Sequence, residues 1–401
     1  ALHCTSATQT TMTILAIETS CDETAISIVS VEGDVPHATY TIGGNALFSQ
    51  IDIHRDFGGV FPSVAKREHI KIITPLFEKV LGDAELLSAR TNTLEEIDEA
   101  AISHLSEREP ELADALRGFY TSYHAPQIDY IAVTSGPGLE PALWVGVNFA
   151  RAVAKLYNIP VIPVNHMEGH VLASLYDADR DEQLSDIPFP AVALLISGGH
   201  TELVLMSDWG KYEKIGQTRD DAVGEAFDKV ARLVGIPYPG GPEVSRRASD
   251  ARKRSLPPFT ALPAPMLHSP DFDFSFSGLK TAVRYAVDGR DLSSDEIAAL
   301  CRDFEDVVAE VLVKKTCAAL AAHGAQTLIV GGGVSANQHI KQLMEATLLV
   351  EHPDVTAYFP QPGLSTDNSI MIALAGHAHL DRALLPTGTD VLRADGNRSL
   401  A

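Results

Sequence analysis

Apolar residues form short runs separated by polar turns, and the runs fall into two series that match along the chain. The first series begins with ILAIETSCDETAISIV, in which a polar turn joins two β-rich runs, a pattern that predicts a β-hairpin. A second pair of this kind is AVALLISGGHTELVLM. Each pair is followed by a run that predicts a strand, a glycine turn and a helix: IAVTSGPGLEPALWVGVNFARAVAKL in one half and TLIVGGGVSANQHIKQLMEA in the other. The repeated order predicts a duplicated α/β unit, with a cleft between two lobes that both hairpin turns face.

The glycine turn of the second half, Gly331, Gly332 and Gly333, separates a predicted strand from a predicted helix. Such a turn exposes backbone N–H groups, and the helix N-terminus behind it adds positive potential, so it suits the phosphates of a nucleotide. The alternative is a tight turn without a ligand. Asn337, in the following helix, is either a polar surface residue or a contact to the base or ribose.

A histidine pair is the strongest candidate for metal chemistry. His166 and His170 in PVNHMEGHVLASLY are four residues apart, so on a helix they project from one face. Asp367, at the start of the last long apolar segment, is the best third ligand, and two imidazoles with one carboxylate leave coordination positions open for substrate. The alternatives are a structural or surface histidine pair, and an Asp367 or Thr366 that serves only as a helix N-cap. Met167 follows the first histidine where a zincin protease requires glutamate, which argues against that proteolytic mechanism.

Charge limits the possible partners. The 401 residues predict two or three domains, and the formal charge of −22 argues against indiscriminate binding of polyanions, so a nucleic-acid function requires a local basic patch. One basic run exists, RRASDARKRS. It is either a solvated face or a contact to a nucleic-acid backbone through Arg246, Arg247, Arg252, Lys253 and Arg254.

Several segments bear on the location of the protein. The four cysteines form no CxxC pair, which is typical of a reducing compartment, and no apolar run reaches the roughly 20 residues that span a bilayer. Residues 1–13 have the character of a disordered leader, a remnant of an organelle-targeting segment or an expression artefact, and the sequence leaves all three open. Residues of about 91–116 are acidic and predict a partly helical surface insertion.

The motifs together resemble one family. IETSCDET, SGPGL, HMEGH, LLISGGHT, GEAFDK, YPGGP, DFSFSGLKT, GGGVSAN and STDN are similar, in that order, to the motifs of the TsaD threonylcarbamoyltransferases. The resemblance extends from about Ile14 to His377, with the acidic insertion excluded. HMEGH resembles the bacterial and organellar branch, and with the leader it favours the mitochondrial homologue and a mitochondrial location, with a cytoplasmic location as the alternative.

The resemblance implies a fold and a reaction. The fold is a two-lobed α/β structure of the actin, Hsp70 and sugar-kinase type, built from duplicated RNase H-like units with a nucleotide in the cleft. The expected division is a leader (1–13), an N-terminal lobe (14–188), a C-terminal lobe (189–368) and a C-terminal helix (369–401) that returns to the N-terminal lobe. The implied reaction transfers threonylcarbamoyl from threonylcarbamoyl-adenylate to N6 of adenosine 37 in tRNAs that read codons beginning with A.

The resemblance also assigns residues and partners. It implies one divalent ion, Zn or Fe in preference to Mg, on His166, His170 and Asp367, and a catalytic role for Asp22 and Glu23 near the phosphate and the metal. The expected partners are tRNA, the enzyme that supplies the adenylate and a second copy in a homodimer. Two alternatives on this scaffold are a small-molecule kinase and a non-catalytic nucleotide-gated binding protein. The residues expected to bind the adenylate are Leu195, Ile196, Ser197, Gly198, Gly199, Asp228, Gly241, Gly332, Gly333 and Asn337.

Overall fold

Two five-stranded sheets with the same strand order form the framework of the protein. The computed structural model describes residues 11–90, 97–178, 180, 182–386 and 392–401. The first sheet has the order β3-β2-β1-β4-β5 and the second the order β10-β9-β8-β11-β12. In each, three antiparallel strands are followed by two parallel ones, which confirms the predicted duplication and the two-lobed α/β fold. The strands are β1 Met12–Glu18, β2 Glu23–Glu32, β3 Thr39–Ser49, β4 Tyr130–Gly136, β5 Val161–Asn165, the small pair β6 Tyr176–Asp177 and β7 Gln183–Leu184, then β8 Ala191–Ile196, β9 Thr201–Asp208, β10 Lys211–Gln217, β11 Thr327–Gly331 and β12 Thr356–Tyr358.

Helices cover the sheets. In the first half they are α1 Ile51–Arg55, α2 Pro62–Asp83, α3 Glu99–Arg108, α4 Pro110–Ser122, α5 Glu140–Tyr157 and α6 His166–Leu175. In the second half they are α7 Val223–Leu233, α8 Gly240–Lys253, α9 Ser277–Val287, α10 Ser294–His323, α11 Gln338–Glu351 and α12 Ser369–His377, with short 3₁₀ helices at Gly333–Ala336 and Leu380–Arg382. Within the described residues, no helix combines the length and apolar character that crossing a membrane requires.

The first strand shows why its sequence is an unbroken apolar run. Ile14 and Ala16 pack into the core with α6 and α12, whereas Leu15 and Ile17 pack into the core on the opposite face with α2 and α5. A sheet that is covered on both faces buries every side chain of a central strand, so period-two alternation disappears. Only Glu18 carries a charge within this buried run.

Two helices lie between the sheets and bring the halves together. Every residue of α6 is buried, as is every residue of α12. Their side chains share one core with residues of both sheets, such as Ala132 from β4 and Leu195 from β8. The segments that carry the two histidines and Asp367 are therefore held at the junction of the halves.

Two boundaries differ from the sequence prediction. Strand β1 begins at Met12, inside the predicted leader, because its apolar residues already pair with β2; the rest of that leader, residues 1–10, lies outside the described residues. The acidic segment is not a surface insertion where it is described. Ile102 and Leu105 of α3, with Leu112 and Leu116 of α4, are buried against α2 and α5, and most acidic side chains of the segment are exposed, Glu109 being buried. The lobe boundaries stay predictions.

Candidate active site

The histidine pair and the distant aspartate meet in space. Nε2 of His170 lies 3.2 Å from Oδ1 of Asp367, and Nε2 of His166 lies 3.4 Å from the same oxygen. The helical register puts both imidazoles on one face of α6, whose N-cap is Asn165. Asp367 is not an N-cap, because the side chain of Asn368 caps α12 by accepting the N–H of Met371 at 3.0 Å. The Asp367 carboxylate thus remains available to the histidines.

The environment of His170 fits a bound cation. This side chain is 1% exposed, and neither ring nitrogen makes a hydrogen bond, since the contact to Asp367 lacks hydrogen-bond geometry. Buried polar atoms are paired in the large majority of cases, so two orphaned nitrogens in one ring need an explanation. Ligand atoms of His166, His170 and Asp367 lie within 4.8 Å of one another, a donor set that suits a transition metal.

Glu18 supports this cluster, and the sequence analysis missed it. Its Oε2 lies 3.1 Å from Nδ1 of His166 and accepts the hydroxyl hydrogen of Thr134 at 2.5 Å, while its Oε1 accepts the N–H of Ser20. A carboxylate behind a metal-binding imidazole fixes the ring orientation and raises its basicity. The available signal was a lone charge inside the apolar run ILAIE.

Electrostatics favour positive charge at the cluster. Burial lowers the pKa of His166, but the carboxylates of Asp367 and Glu18 outweigh it and raise that pKa well above its ordinary value. Burial acts in the opposite direction on Asp367, yet the two histidines hold its pKa below the ordinary range. In both cases the carboxylates and the imidazoles stabilise each other's charged forms. The same carboxylates would stabilise a metal ion bound at the cluster.

The first hairpin turn carries the acidic pair Asp22 and Glu23. Glu23 opens β2, and its Oε1 accepts the hydroxyl hydrogen of Ser49 at 3.1 Å. The Tyr238 hydroxyl, from the loop after α7, reaches across from the second half to within 3.5 Å of Asp22 Oδ2. Burial, with the charge of Asp22 next in weight, raises the pKa of Glu23 to about 9. Glu23 therefore keeps a proton at neutral pH.

A cavity of about 580 Å³ opens in the second half. Five of the predicted substrate residues line it: Gly198, Asp228, Gly241, Gly333 and Asn337. The remaining five, Leu195, Ile196, Ser197, Gly199 and Gly332, are not part of its lining. Leu195 and Ile196 are fully buried in β8, so their side chains cannot contact a ligand. Gly332, with φ of 90°, has a structural reason to be glycine: a Cβ there would lie 2.4 Å from the carbonyl oxygen of Ile196.

Two polar residues hold the cavity walls. Asp228 Oδ1 accepts the N–H of Gly240 at 2.7 Å, which ties α7 to the start of α8. Asn337 is the N-cap of α11 and not a residue one turn inside it. Its amide nitrogen donates to Ser245 Oγ at 2.9 Å and to Glu305 Oε1 at 2.7 Å. Much of the hydrogen-bonding capacity of Asn337 is therefore used within the wall.

The basic run lies on α8 and its end, and acids neutralise most of it. Glu243 accepts hydrogen bonds from Arg246 at 2.6 Å and Arg247 at 2.8 Å. Two further pairs are Arg252 with Glu305 and Arg254 with Asp295. Arg246 and Arg252 also line the cavity. The run is thus less available as a free cationic surface than its sequence suggests.

A second group of metal-ligating atoms, Cys317, Glu351 and His352, also lies within 4.8 Å. Burial raises the pKa of Cys317 to about 11, and Glu351 is exposed to solvent. A protonated thiol and a solvated carboxylate are poor ligands compared with the buried nitrogens of the first cluster. The histidine cluster is the better metal candidate of the two.

Comparison with known proteins gives a consistent result. The family model described as "TsaD: tRNA N6-adenosine threonylcarbamoyltransferase" matches residues 41–105 and 97–374. A protein of that name from Ralstonia pickettii (strain 12J) is 40% identical over 374 residues, covering 92% of this chain and 92% of the relative. The namesake from Burkholderia multivorans (strain ATCC 17616 / 249) is 41% identical over 379 residues, covering 92% and 93% of the two chains.

Among solved structures, full-length HypF in the phosphate- and nucleotide-bound form aligns with a TM-score of 0.49 and 12% identity, over 95% of this chain and 47% of that chain. This similarity is too low to support an argument about the site. The family model and the relatives are sufficient by themselves, since they cover most of the chain at about 40% identity. The chain belongs to the TsaD family of tRNA N6-adenosine threonylcarbamoyltransferases.

Proposed function

We propose that the cavity of the second half and the histidine cluster at the junction form one active site for threonylcarbamoyl transfer to tRNA. The donor is threonylcarbamoyl-adenylate and the acceptor is N6 of adenosine 37 in tRNAs that read codons beginning with A. The N6–carbon bond forms, the bond from the carbonyl carbon to the phosphate oxygen breaks, and AMP leaves. Family membership decides against a small-molecule kinase and against a non-catalytic binding protein.

One contact carries the proposal of a single site. A Cβ on Gly331, at the end of β11, would lie 2.9 Å from the carbonyl oxygen of His170. Strand β11, which leads into the glycine turn of the cavity, therefore packs directly on α6, the helix that carries both histidines. In this proposal the phosphate of the adenylate lies near that turn and its acyl group is directed toward the cluster, which is the positioning that transfer requires.

His166, His170 and Asp367 are the proposed ligands of one divalent ion, with Glu18 fixing the ring of His166. Two imidazole ligands favour zinc or iron over magnesium, which prefers oxygen. When bound, the ion supplies Lewis acidity toward an oxygen of the donor. The glycine turns at Gly198 and Gly333 contribute backbone N–H groups toward the nucleotide.

Proton movement is assigned to the acidic turn. The attacking N6 amine must lose a proton as the new bond forms, and Asp22 is the proposed acceptor. Glu23, which is protonated at neutral pH, is the proposed hydrogen-bond donor beside it. The phosphate of the departing AMP is the competing proton acceptor. An enzyme of this kind needs no serine, cysteine or lysine nucleophile because the acyl group arrives already activated.

The test begins with the purified protein, a tRNA with adenosine at position 37 and synthetic threonylcarbamoyl-adenylate. Mass spectrometry of the digested tRNA is expected to show threonylcarbamoyladenosine. Removing metal with a chelator should abolish the product, and adding back zinc or iron(II), but not magnesium, should restore it. ATP with a panel of small metabolites should give no phosphate transfer. Full product from metal-free protein would contradict the metal assignment while leaving the reaction intact.

The basic run remains a proposed tRNA contact. Neutralising Arg247, Lys253 and Arg254, which lie outside the cavity, is expected to weaken tRNA binding and reduce its dependence on salt. The ion pairs with Glu243 and Asp295 argue for a modest effect. Unchanged binding and an unchanged salt slope would assign the run to the ordinary surface.

We also propose a mitochondrial location, a homodimer and a functional link to an adenylate-forming enzyme. The support is the similarity of HMEGH to the bacterial and organellar branch, together with the bacterial relatives. Fractionation of cells that express the full-length chain tests the location, and sedimentation of the purified protein tests the homodimer.

A further inference from the structure

Two phenylalanines form an exposed stacked pair in the loop before α2. Phe57 is 57% exposed and Phe61 is 52% exposed, and their ring centroids are 5.9 Å apart with an angle of 24° between the planes. Gly58 and Gly59, with φ of 68° and 152°, make the turn that brings the rings together. Large apolar side chains are normally removed from water, so a stacked exposed pair is a candidate contact surface.

The loop is linked to the acidic turn of the proposed active site. Gln50 N–H donates to the carbonyl oxygen of Asp22 at 2.9 Å, and its side-chain oxygen lies 3.1 Å from Nε2 of His54. Nδ1 of the same histidine accepts the N–H of Phe61 at 3.3 Å. Buried His54 therefore connects the backbone at Phe61 to the segment that holds Asp22.

The opposite side of the loop contacts the cavity wall. Arg232, on α7, donates to the carbonyl oxygen of Gly58. Asp228, one turn earlier on that helix, lines the adenylate cavity. The loop that carries the phenylalanine pair therefore contacts both the segment that holds Asp22 and helix α7, which lines the adenylate cavity.

The charge around the pair suits a polyanion better than the protein average does. A second cavity of about 270 Å³ begins at Ser63, just after Phe61, and three cations line it: Lys66, Arg67 and Arg108. Glu109 pairs with Lys66 at 3.1 Å, Glu68 pairs with Arg67 at 3.1 Å, and Glu111 also lines this cavity, so the charge is mixed there. Three cations and two carboxylates line this cavity, so its charge is more positive than that of a chain with a net charge of −22.

This chemistry matches single-stranded RNA. Unpaired bases of loops are recognised by stacking on aromatic side chains, while cations hold the backbone. We infer that Phe57 and Phe61 form a stacking platform for an unpaired anticodon-loop base of the substrate tRNA, with the backbone directed toward the Lys66 and Arg67 cavity. The inference rests on the proposed function and adds the surface that presents the acceptor adenosine.

A 17-nucleotide anticodon stem-loop with adenosine 37 is the probe, and its affinity is measured by fluorescence anisotropy with the full-length protein. Phe57→Ala and Phe61→Ala are each expected to weaken binding by about 5-fold or more, in line with the loss of one stacked base. In the transfer assay, KM for tRNA should rise while KM for the adenylate stays unchanged. Phe57→Trp and Phe61→Trp should retain binding, because a larger π-face stacks at least as well.

The matched control is Tyr285→Ala on α9, a 69% exposed aromatic residue outside both cavities, which should leave stem-loop affinity unchanged. Circular dichroism and metal content of each variant establish that the fold is intact. Phe→Leu variants that bind as well as wild type would overturn the stacking role. Unchanged RNA affinity with altered sedimentation would instead assign the pair to self-association. Wild-type protein that binds the stem-loop but forms no product would refute the proposed function and not this surface.

Discussion

The two hairpin turns occupy equivalent positions in the duplicated sheets but differ in chemistry. The turn between β1 and β2 carries Asp22 and Glu23, and Gly138 packs so closely behind it that a Cβ there would lie 2.6 Å from the carbonyl oxygen of Ser20. The turn between β8 and β9 carries Gly198 and Gly199, and a Cβ at either would have no neighbour within 4 Å. One turn is acidic and packed, whereas the other is neutral and open.

The comparison shows how one repeated unit can be divided between two tasks. The acidic turn lies beside buried carboxylates and histidines, so it suits the transfer of charge and protons. The glycine turn lines the cavity through Gly198 and carries no charged side chain, so it suits the binding of phosphate and sugar. The shared strand order keeps the two turns aimed at one cleft, while the side chains are free to differ.

The largest expected effect comes from removing a proposed metal ligand on the acidic side. His170→Ala should lower bound metal and reduce the transfer rate by more than about 100-fold, since even partners behind the ligands cost about 10- to 100-fold. Elemental analysis measures the bound metal, and the transfer assay measures the rate. Cys317→Ser is the control, because it disrupts the alternative cluster and should leave metal and rate unchanged. Full metal content in the His170 variant would refute the assignment of His170 as a metal ligand.

The acidic turn itself should show the next largest effect. Asp22→Asn is expected to lower kcat by about 10²- to 10⁴-fold, the usual contribution of a general base, with little change in affinity for the adenylate. Glu23→Gln keeps a hydrogen-bond donor in place and should be milder. If both variants retain full kcat, the AMP phosphate becomes the better candidate for the proton acceptor.

The glycine turn should respond in binding and not in chemistry. A Cβ at Gly224 on α7 would lie 2.7 Å from the carbonyl oxygen of Ser197 and 2.9 Å from N of Gly198, so Gly224→Ala must displace the turn. Overpacking of this kind costs about 1–3 kcal/mol, and we expect adenylate affinity to fall about 10-fold at unchanged metal content. Isothermal titration calorimetry measures the affinity for the adenylate. Gly118→Ala on α4, with no neighbour within 4 Å, is the control; equal affinities in the two variants would refute the role of the turn.

The last prediction concerns stability and not the reaction, and it is a pH dependence of unfolding. The pKa of Glu23 is raised from 4.5 to about 9, so between these values the folded protein holds a proton that the unfolded chain has released. The free energy of unfolding of the metal-free protein should therefore fall as pH rises through that window, with no further contribution above about pH 9. Glu23→Gln should flatten the dependence in urea-unfolding curves measured across it. Identical curves for both proteins would place the titration elsewhere.

Much of the fold was predictable because its signals are local. The hairpins around Asp22 and Gly198 follow from apolar runs that flank polar turns, and the helix at His166 follows from its spacing. The packing of the acidic segment was harder to predict from the sequence. The apolar face of α3 and α4 is hidden among many acids, so composition suggested a surface insertion where Ile102 and Leu112 join the core.

The candidate site was only partly predictable. The type of chemistry at His166, His170 and Asp367 could be inferred from residue types, but Glu18 could not be assigned, since its role depends on the approach of His166 across the sheet. Leu195 and Gly332 belong to a recognisable motif, yet the pleat of β8 and the close contact with Ile196 keep them off the cavity wall.

The sequence by itself determined the duplicated elements, the acidic and glycine character of the two turns, and the types of ligand available, because these follow from residue identity and short-range spacing. Only the tertiary structure decided which side chains meet. Asp367 reaches the histidines because α6 and α12 pack between the two sheets, and Arg252 is neutralised because α10 brings Glu305 and Asp306 against it. Long-range packing sets these distances, and no local pattern encodes them.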